Sequence, residues 1–392
     1  MDTIQRDGFL RDLGAAKKAI SAGVSVGRAK ASCSVWEIWI WQNYCAELGL
    51  DPFLEAIQDK VPLLQVFAQR VRTGALASSG NPILARSVED YLRHVAQTFQ
   101  SVGASDPRKK PGEKAIDFRL TRLQAAWKKK DPPPHRVKPV PIQVIRRIAT
   151  LAALSALEST KAVSDMIVLA FFFLLRPGEY VDTNSESTPF TLADVSLYIG
   201  DTYLSPATAT DQQLLSATRV TLTFTTQKNG VRGEVIGLGC SGDPLVCPVK
   251  AAARRVVYLR HNNAPPGTPL ARLFTHADEL KIIKPSDITR TIQQAVRTIG
   301  YDLGFLPKDV TARSLRAAGA NALLLADVDP NIIRLIGRWK SDEMLRYLHV
   351  QAAPLMQHYA KKMLQGGVYT LLPNTQHVPQ QLLPSATTVP LH

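Results

Sequence analysis

Apolar residues return every three or four positions along most of this chain and alternate every second position only in one middle stretch. The first spacing is that of an amphipathic helix, the second that of a half-buried strand. In the first third, helical spacing covers 34–45, 62–73, 83–100 and 114–127, with Ser34 placed to cap the first helix. Trp36, Trp39 and Trp41 fall on that helix and are expected in a core rather than on a base-stacking surface. Breaks at 78–82, around Pro107 and at Pro111-Gly112 separate the helices. No strand pattern intervenes, so 31–127 reads as a small all-helical domain behind an N-terminal arm over 1–30.

The run from Lys128-Lys129-Lys130 through Pro132-Pro133-Pro134 to residue 140 is basic and proline-rich, and reads as a stiff linker suited to lie along a phosphate backbone. A second domain is expected over 141–365. Its helical stretches are 142–156, 161–175, 248–260, 286–299, 312–326, 330–336 and 341–348. Strand alternation covers 195–199 and 219–226, and Asn229-Gly230 is a two-residue hairpin signal leading into a return strand over 231–238. Asp329 is placed to cap the helix that begins at Pro330, and Gly337 to end it. Residues 366–392 are rich in Pro, Gln and Thr and read as a disordered tail. The fold class is mainly α with a small β-sheet (α+β).

Composition narrows the partners. The chain has 392 residues, 45% of them hydrophobic, enough for two cores, and a formal net charge of +14 that points to a polyanion, with nucleic acid first. Four cysteines are no disulfide framework at this length, and the gap from Cys240 to Cys247 is too wide for a close-spaced zinc pair, so thiols in a reducing compartment are expected. The N-terminal residues lack a signal-peptide pattern, and the longest apolar run, 166–175, is too short to cross a bilayer. An intracellular, soluble protein with no membrane partner is expected.

Three segments carry the chemistry. Arg176 follows the apolar run Phe171-Phe172-Phe173-Leu174-Leu175, with Glu179 three residues on to hold it. Arg313 and Arg316 share a helix face. Gly337-Arg338-Trp339-Lys340 runs on to Tyr347. An arginine pair can grip the non-bridging oxygens of one phosphate, and a tyrosine a short helix later can attack phosphorus. Tyr180 lies too near Arg176 in sequence for that role and reads as packing. Tyr359 and Tyr369 fit the spacing from Arg316 less well than Tyr347.

These residues resemble the tyrosine recombinase (phage-integrase) family, over most of the chain from the helical domain to about residue 362. The family pattern is Arg…Lys…His-x-x-Arg…His/Trp…Tyr. Arg176 with Glu179 is similar to its first arginine box and Lys228 to its hairpin lysine. Arg316 is similar to its second arginine, Arg338 falls at the His/Trp position and Tyr347 at the nucleophile. Arg313 stands where the family has histidine, which leaves phosphate binding intact but removes a proton carrier. The string from Gly337 to Asp342 is similar to recombinases of eukaryotic mobile elements of the DIRS and Crypton types. The resemblance implies a helical core-binding domain and an integrase-like catalytic domain clamped on double-stranded DNA. It also implies cleavage and rejoining through a 3′-phosphotyrosyl link, no metal or nucleotide cofactor, and a homotetramer on two DNA sites. It places the protein in the nucleus if the source is eukaryotic and in the cytoplasm otherwise. Two alternatives stay open: a DNA-binding relic that no longer cleaves, and a type IB topoisomerase.

Overall fold

The computed structural model describes residues 12, 34–35, 40–76, 80–133, 137–183, 188–225, 233–274 and 280–339. They fall into two compact units, one within 1–136, 182–189 and 224–233, the other within 137–181, 190–223 and 234–392. The chain is mainly helical with a small sheet.

In the first unit, α1 (Trp41–Glu47), α2 (Val61–Arg72), α3 (Ala85–Ser101) and α4 (Phe118–Lys130) enclose an aromatic core. Val61, Leu64, Phe67, Ala68 and Val71 of α2 are buried at helical spacing, as the apolar stripe requires. Trp41 is fully buried, meets Phe67 edge-on with centroids 5.0 Å apart, and donates its indole N–H to the Pro52 carbonyl at 2.8 Å. A buried indole needs such an acceptor. Trp41 therefore takes the core role expected of the tryptophans; Trp36 and Trp39 lie outside the described residues.

The helix expected over 34–45 is α1 from Trp41, with Ile40 and not Ser34 at its N-cap position, and both ends of α4 also differ from the sequence reading. The helix expected over 114–127 begins at Phe118, because the Asp117 carboxylate caps it by accepting the Arg119 backbone N–H at 2.8 Å. It also runs on through Lys128, Lys129 and Lys130, so these are its last turn rather than extended linker. Basic side chains are favoured there by the helix dipole, and Pro132 and Pro133 stop further winding.

In the second unit, α5 (Ile142–Ala153) packs on α6 (Glu158–Phe172), a helix buried at every position from Ala162 to Phe171. A four-stranded sheet has the order β2-β1-β3-β4, with β1 at Val195–Ile199, β2 at Thr202–Leu204, β3 at Arg219–Phe224 and β4 at Glu234–Gly239. β1 pairs antiparallel with β3, Val195 opposite Leu222 and Leu197 opposite Val220, so the apolar faces coincide. The short β2 was not anticipated, nor were α8 (Asp211–Leu215) and the ladder of β5 (Arg272–Phe274) with β6 (Leu280–Ile282). β2, β5 and β6 span three residues each, too few to show alternation, and α8 is little more than one helical turn.

α9 (Pro248–His261) lies against α6, and α10 (Pro285–Ile299) against α5. Two further helices, α11 (Ser314–Leu325) and α12 (Pro330–Ile336), complete the described chain. Asp329 caps α12 as expected, accepting the Asn331 N–H at 2.6 Å with Pro330 in the first position. α11 comes so close to α6 that a Cβ on Gly319 would sit 2.1 Å from the Phe171 carbonyl oxygen. This contact brings the start of α11 to the end of α6.

Candidate functional site

The site is built on the ends of two helices. α6 finishes in a Schellman turn: Leu175 N–H donates to the Ala170 carbonyl at 3.0 Å and Leu174 N–H to Phe171 at 3.4 Å. Its left-handed position, normally glycine, is Leu174 at φ +52°. That conformation costs a leucine roughly 1–2 kcal/mol, so surrounding contacts must hold it. The helix expected over 161–175 therefore stops at Phe172, and Arg176 does not end it. Arg176 is instead the N-cap residue of a one-turn helix, α7 (Pro177–Tyr180).

Glu179, in α7, is buried and organises the turn. Its Oε2 accepts the Arg176 backbone N–H at 2.8 Å, and its Oε1 accepts Arg176 Nη1 at 3.0 Å. The same carboxylate takes a second guanidinium, Arg338 Nη2, at 3.1 Å. Glu179 thus links two of the arginines singled out by sequence.

α12 ends in a second Schellman turn, with Arg338 N–H on the Leu335 carbonyl at 2.9 Å and Trp339 N–H on Arg334 at 3.0 Å. Gly337 ends the helix as expected, as its C-cap residue, right-handed at φ −77°. The left-handed position past it is taken by Arg338, at φ +56°. Glycine is needed at 337 for space: a Cβ there would lie 1.6 Å from the Trp339 ring. With no side chain in the way, the indole folds back and places the Arg316 guanidinium 4.2 Å from the ring centroid.

Arg316, in the first turns of α11, is buried. Its Nη1 donates to the Leu174 carbonyl at 2.6 Å and its Nη2 to the Gly337 carbonyl. Arg338 is also buried, and reaches the Phe173 and Ile336 carbonyls through Nη1 at 3.1 and 2.8 Å, and Leu174 through Nη2 at 3.2 Å. Two cations therefore meet the C-terminal carbonyls of both helices, where the backbone dipole favours positive charge. Burial lowers the Arg338 pKa to about 10, with Arg176 adding to the effect and Glu179 and Glu234 opposing it. It remains protonated at neutral pH. Three guanidiniums against the carboxylates of Glu179 and Glu234 leave the cluster positive. Arg176 is its open member, with a quarter of its side chain exposed.

Arg176, Arg316 and Arg338 are thus brought together. Arg313 is not joined to them by any hydrogen bond found: it is exposed at the N-cap position of α11, its backbone N–H on Thr311 Oγ1 at 3.2 Å. Tyr180 is fully buried, and its hydroxyl donates to the Ala312 carbonyl at 3.3 Å. Burial raises its pKa, which fits packing and not nucleophilic attack. Lys228, Tyr347 and the helix expected over 341–348 lie outside the described residues. Sequence reasoning missed Trp339 as the lid on Arg316 and Glu179 as a partner of Arg338. The aromatic residue next to Arg338 was the only hint of the first. Among the described residues no group of His, Cys, Asp and Glu could hold a metal ion, and no helix is long and apolar enough to cross a membrane.

No protein-family model and no curated protein matches the chain. Solved structures similar to it include XerH site-specific recombinase bound to a palindromic difH substrate, with TM-score 0.47 and 12% identity over 83% of this chain and 75% of that one. A lambda integrase dimer bound to a COC′ core site gives TM-score 0.45 and 14% identity over 87% and 95% of the two chains. The Tn1549 transposon integrase in complex with a circular-intermediate DNA gives TM-score 0.45 and 14% identity over 84% and 99%.

Proposed function

We propose that this protein cleaves and rejoins DNA strands through a 3′-phosphotyrosyl intermediate, as a tyrosine-type recombinase or integrase does. The observation that carries the proposal is the cluster in which Arg176 and Arg338 share Glu179 while Arg316 and Arg338 share the Leu174 carbonyl. It is a fixed, net-positive, largely buried site with one guanidinium at its mouth. A field of that sign stabilises the charge that develops on a phosphate under attack, and it acts more strongly in a low-dielectric surrounding.

In this reading Arg176 touches the scissile phosphate, and Arg316 and Arg338 hold positive charge behind it. Arg313, at the start of α11, adds a phosphate contact. The Tyr347 hydroxyl gives its proton to water as it attacks phosphorus, forming the P–O(Tyr) bond as the P–O5′ bond breaks, and Lys228 gives the leaving 5′-oxygen its proton. The ester keeps the bond energy, so religation is the same step reversed and uses no nucleotide. Net charge favours duplex DNA as the partner, and the family resemblance favours a tetramer assembled on it.

The test is covalent capture. A pool of randomised duplexes carrying nicks is incubated with the full chain, and SDS-resistant protein–DNA complexes are counted. Wild type should trap DNA and Tyr347→Phe should not; equal trapping by both would remove the catalytic reading. A second reading, DNA binding without cleavage, has two observations in its favour: Arg316 and Arg338 direct N–H groups to main-chain carbonyls, and an exposed arginine stands at 313. Retention of duplex with no covalent complex would select it. Relaxation of plasmid without any specific site would select a topoisomerase.

A further inference from the structure

Away from the arginine cluster, the end of β4 meets the start of α9. Cys240 follows β4 directly and Cys247 is the N-cap residue of α9. The loop between them is folded on itself. Ser241 Oγ donates to the Val246 carbonyl at 2.7 Å, and Asp243 Oδ1 accepts the N–H groups of Leu245 and Val246 at 2.9 and 3.0 Å. The Ser241–Val246 bond joins the residues next to the two cysteines and so draws Cys240 and Cys247 toward each other. Cys240 is exposed and Cys247 buried.

The surroundings differ for the two thiols. Burial alone would raise the Cys247 pKa. Hydrogen bonds from the Lys250 and Ser241 backbone, the Ser241 side chain and the Val249 backbone outweigh burial and leave the thiol below its ordinary value. Cys240 Sγ lies 3.7 Å from the Ala217 carbonyl oxygen, which also accepts the Lys250 ammonium at 3.3 Å. Burial and the neighbouring Cys247 hold the Cys240 thiol above its ordinary value, so the helix N-terminus favours the thiolate on Cys247, the partner that closes the bond.

We propose that Cys240 and Cys247 form a reversible dithiol–disulfide pair that closes when a peroxide oxidises the exposed Cys240. The Cys240 thiol attacks one oxygen of hydrogen peroxide, giving a sulfenic acid and water, its own proton going to the departing oxygen. The Cys247 thiolate then attacks the Cys240 sulfur and expels hydroxide. The two sulfurs lose two electrons and the peroxide gains them. In a reducing compartment the pair rests as thiols, as the sequence led us to expect. Closed, it ties the end of β4 to α9, and β4 neighbours β3 in the sheet whose connecting segment carries Lys228. The proposal is independent of the strand-cleavage reading, since it concerns sulfur chemistry alone.

The experiment is peptide mapping of the full wild-type chain after hydrogen peroxide treatment and alkylation under denaturing, non-reducing conditions. The expected result is one linked peptide joining Cys240 to Cys247, lighter by two hydrogens and restored to two alkylated cysteines by a thiol reductant. Cys247→Ser should instead leave Cys240 as a sulfenic acid captured by dimedone. Alkylation of both wild-type cysteines, a link to Cys33 or Cys45, or sulfonic acid on Cys240 beside a free Cys247 would overturn the proposal. The wild-type map decides the question even if the variant does not fold.

Discussion

Arg316 donates its Nη1 to the Leu174 carbonyl at 2.6 Å, joining the first turns of α11 to a left-handed leucine at the end of α6. The bond explains two oddities at once. Leu174 is held in a conformation it disfavours, and a buried guanidinium finds an acceptor in a helix-end carbonyl that it shares with Arg338.

Arg316 is therefore structural as well as electrostatic. Arg316→Ala leaves the Leu174 and Gly337 carbonyls without its donors and removes the cation beneath Trp339, and the loss should be about 3 kcal/mol or more in urea unfolding. Arg316→Lys should recover little of it, because an ammonium cannot span both carbonyls as a planar fork does. Full stability in the lysine variant would contradict this account.

Arg176 should separate from Arg316 in experiment. It is partly exposed, and its partner Glu179 keeps Arg338 when it is removed. Arg176→Ala should keep a cooperative unfolding transition near that of wild type and lower covalent DNA capture by about a hundredfold or more. An equal fall in stability for Arg176→Ala and Arg316→Ala would make Arg176 a structural residue only.

The pairing of Gly337 with Trp339 can be measured by a double-mutant cycle. Gly337→Ala forces a methyl into the indole and should cost about 1–3 kcal/mol, with a change in near-ultraviolet circular dichroism as the ring leaves Arg316. In a Trp339→Ala background the same change should cost much less. Additive losses would mean that Gly337 is needed for its backbone instead.

Acid should act first on the helical unit. Hydrogen bonds from the Arg119 side chain and backbone hold the Asp117 carboxyl at about 2, against an ordinary value of about 4. A carboxyl with a depressed folded-state value stabilises fully above its unfolded value and loses that contribution as pH falls toward the folded one. Helical signal should thus become easier to denature between about pH 4 and pH 2. Asp117→Asn keeps a capping oxygen and should flatten that slope; an unchanged slope would assign the acid sensitivity to other carboxylates.

The long helices were legible because burial on one face leaves a period in the sequence, as in α2 with Leu64, Phe67 and Val71. The β1–β3 pairing was legible as alternation. α8 has a readable signal in hindsight, since Thr210 and Gln213 cap each other in a spacing that sequence displays. β5 and β6 had none. At the site, Glu179 was legible as a partner for Arg176 because both lie in one turn. Its bond to Arg338 was not, because those residues meet only through the packing of α6, α11 and α12.

By itself the sequence determined the residue types of this site and their order, a basic chain, and a mainly helical fold with one small sheet. Periodicity and local spacing carry that information. The tertiary structure decided which arginine faces outward and which are buried, and why Leu174 and Arg338 take left-handed backbones. It also decided that Trp339 covers Arg316. These depend on the close approach of α11 to α6 at Gly319 and on two helix ends meeting, contacts between residues far apart in the chain. No local pattern encodes such a contact, because its energy exists only when both surfaces are present.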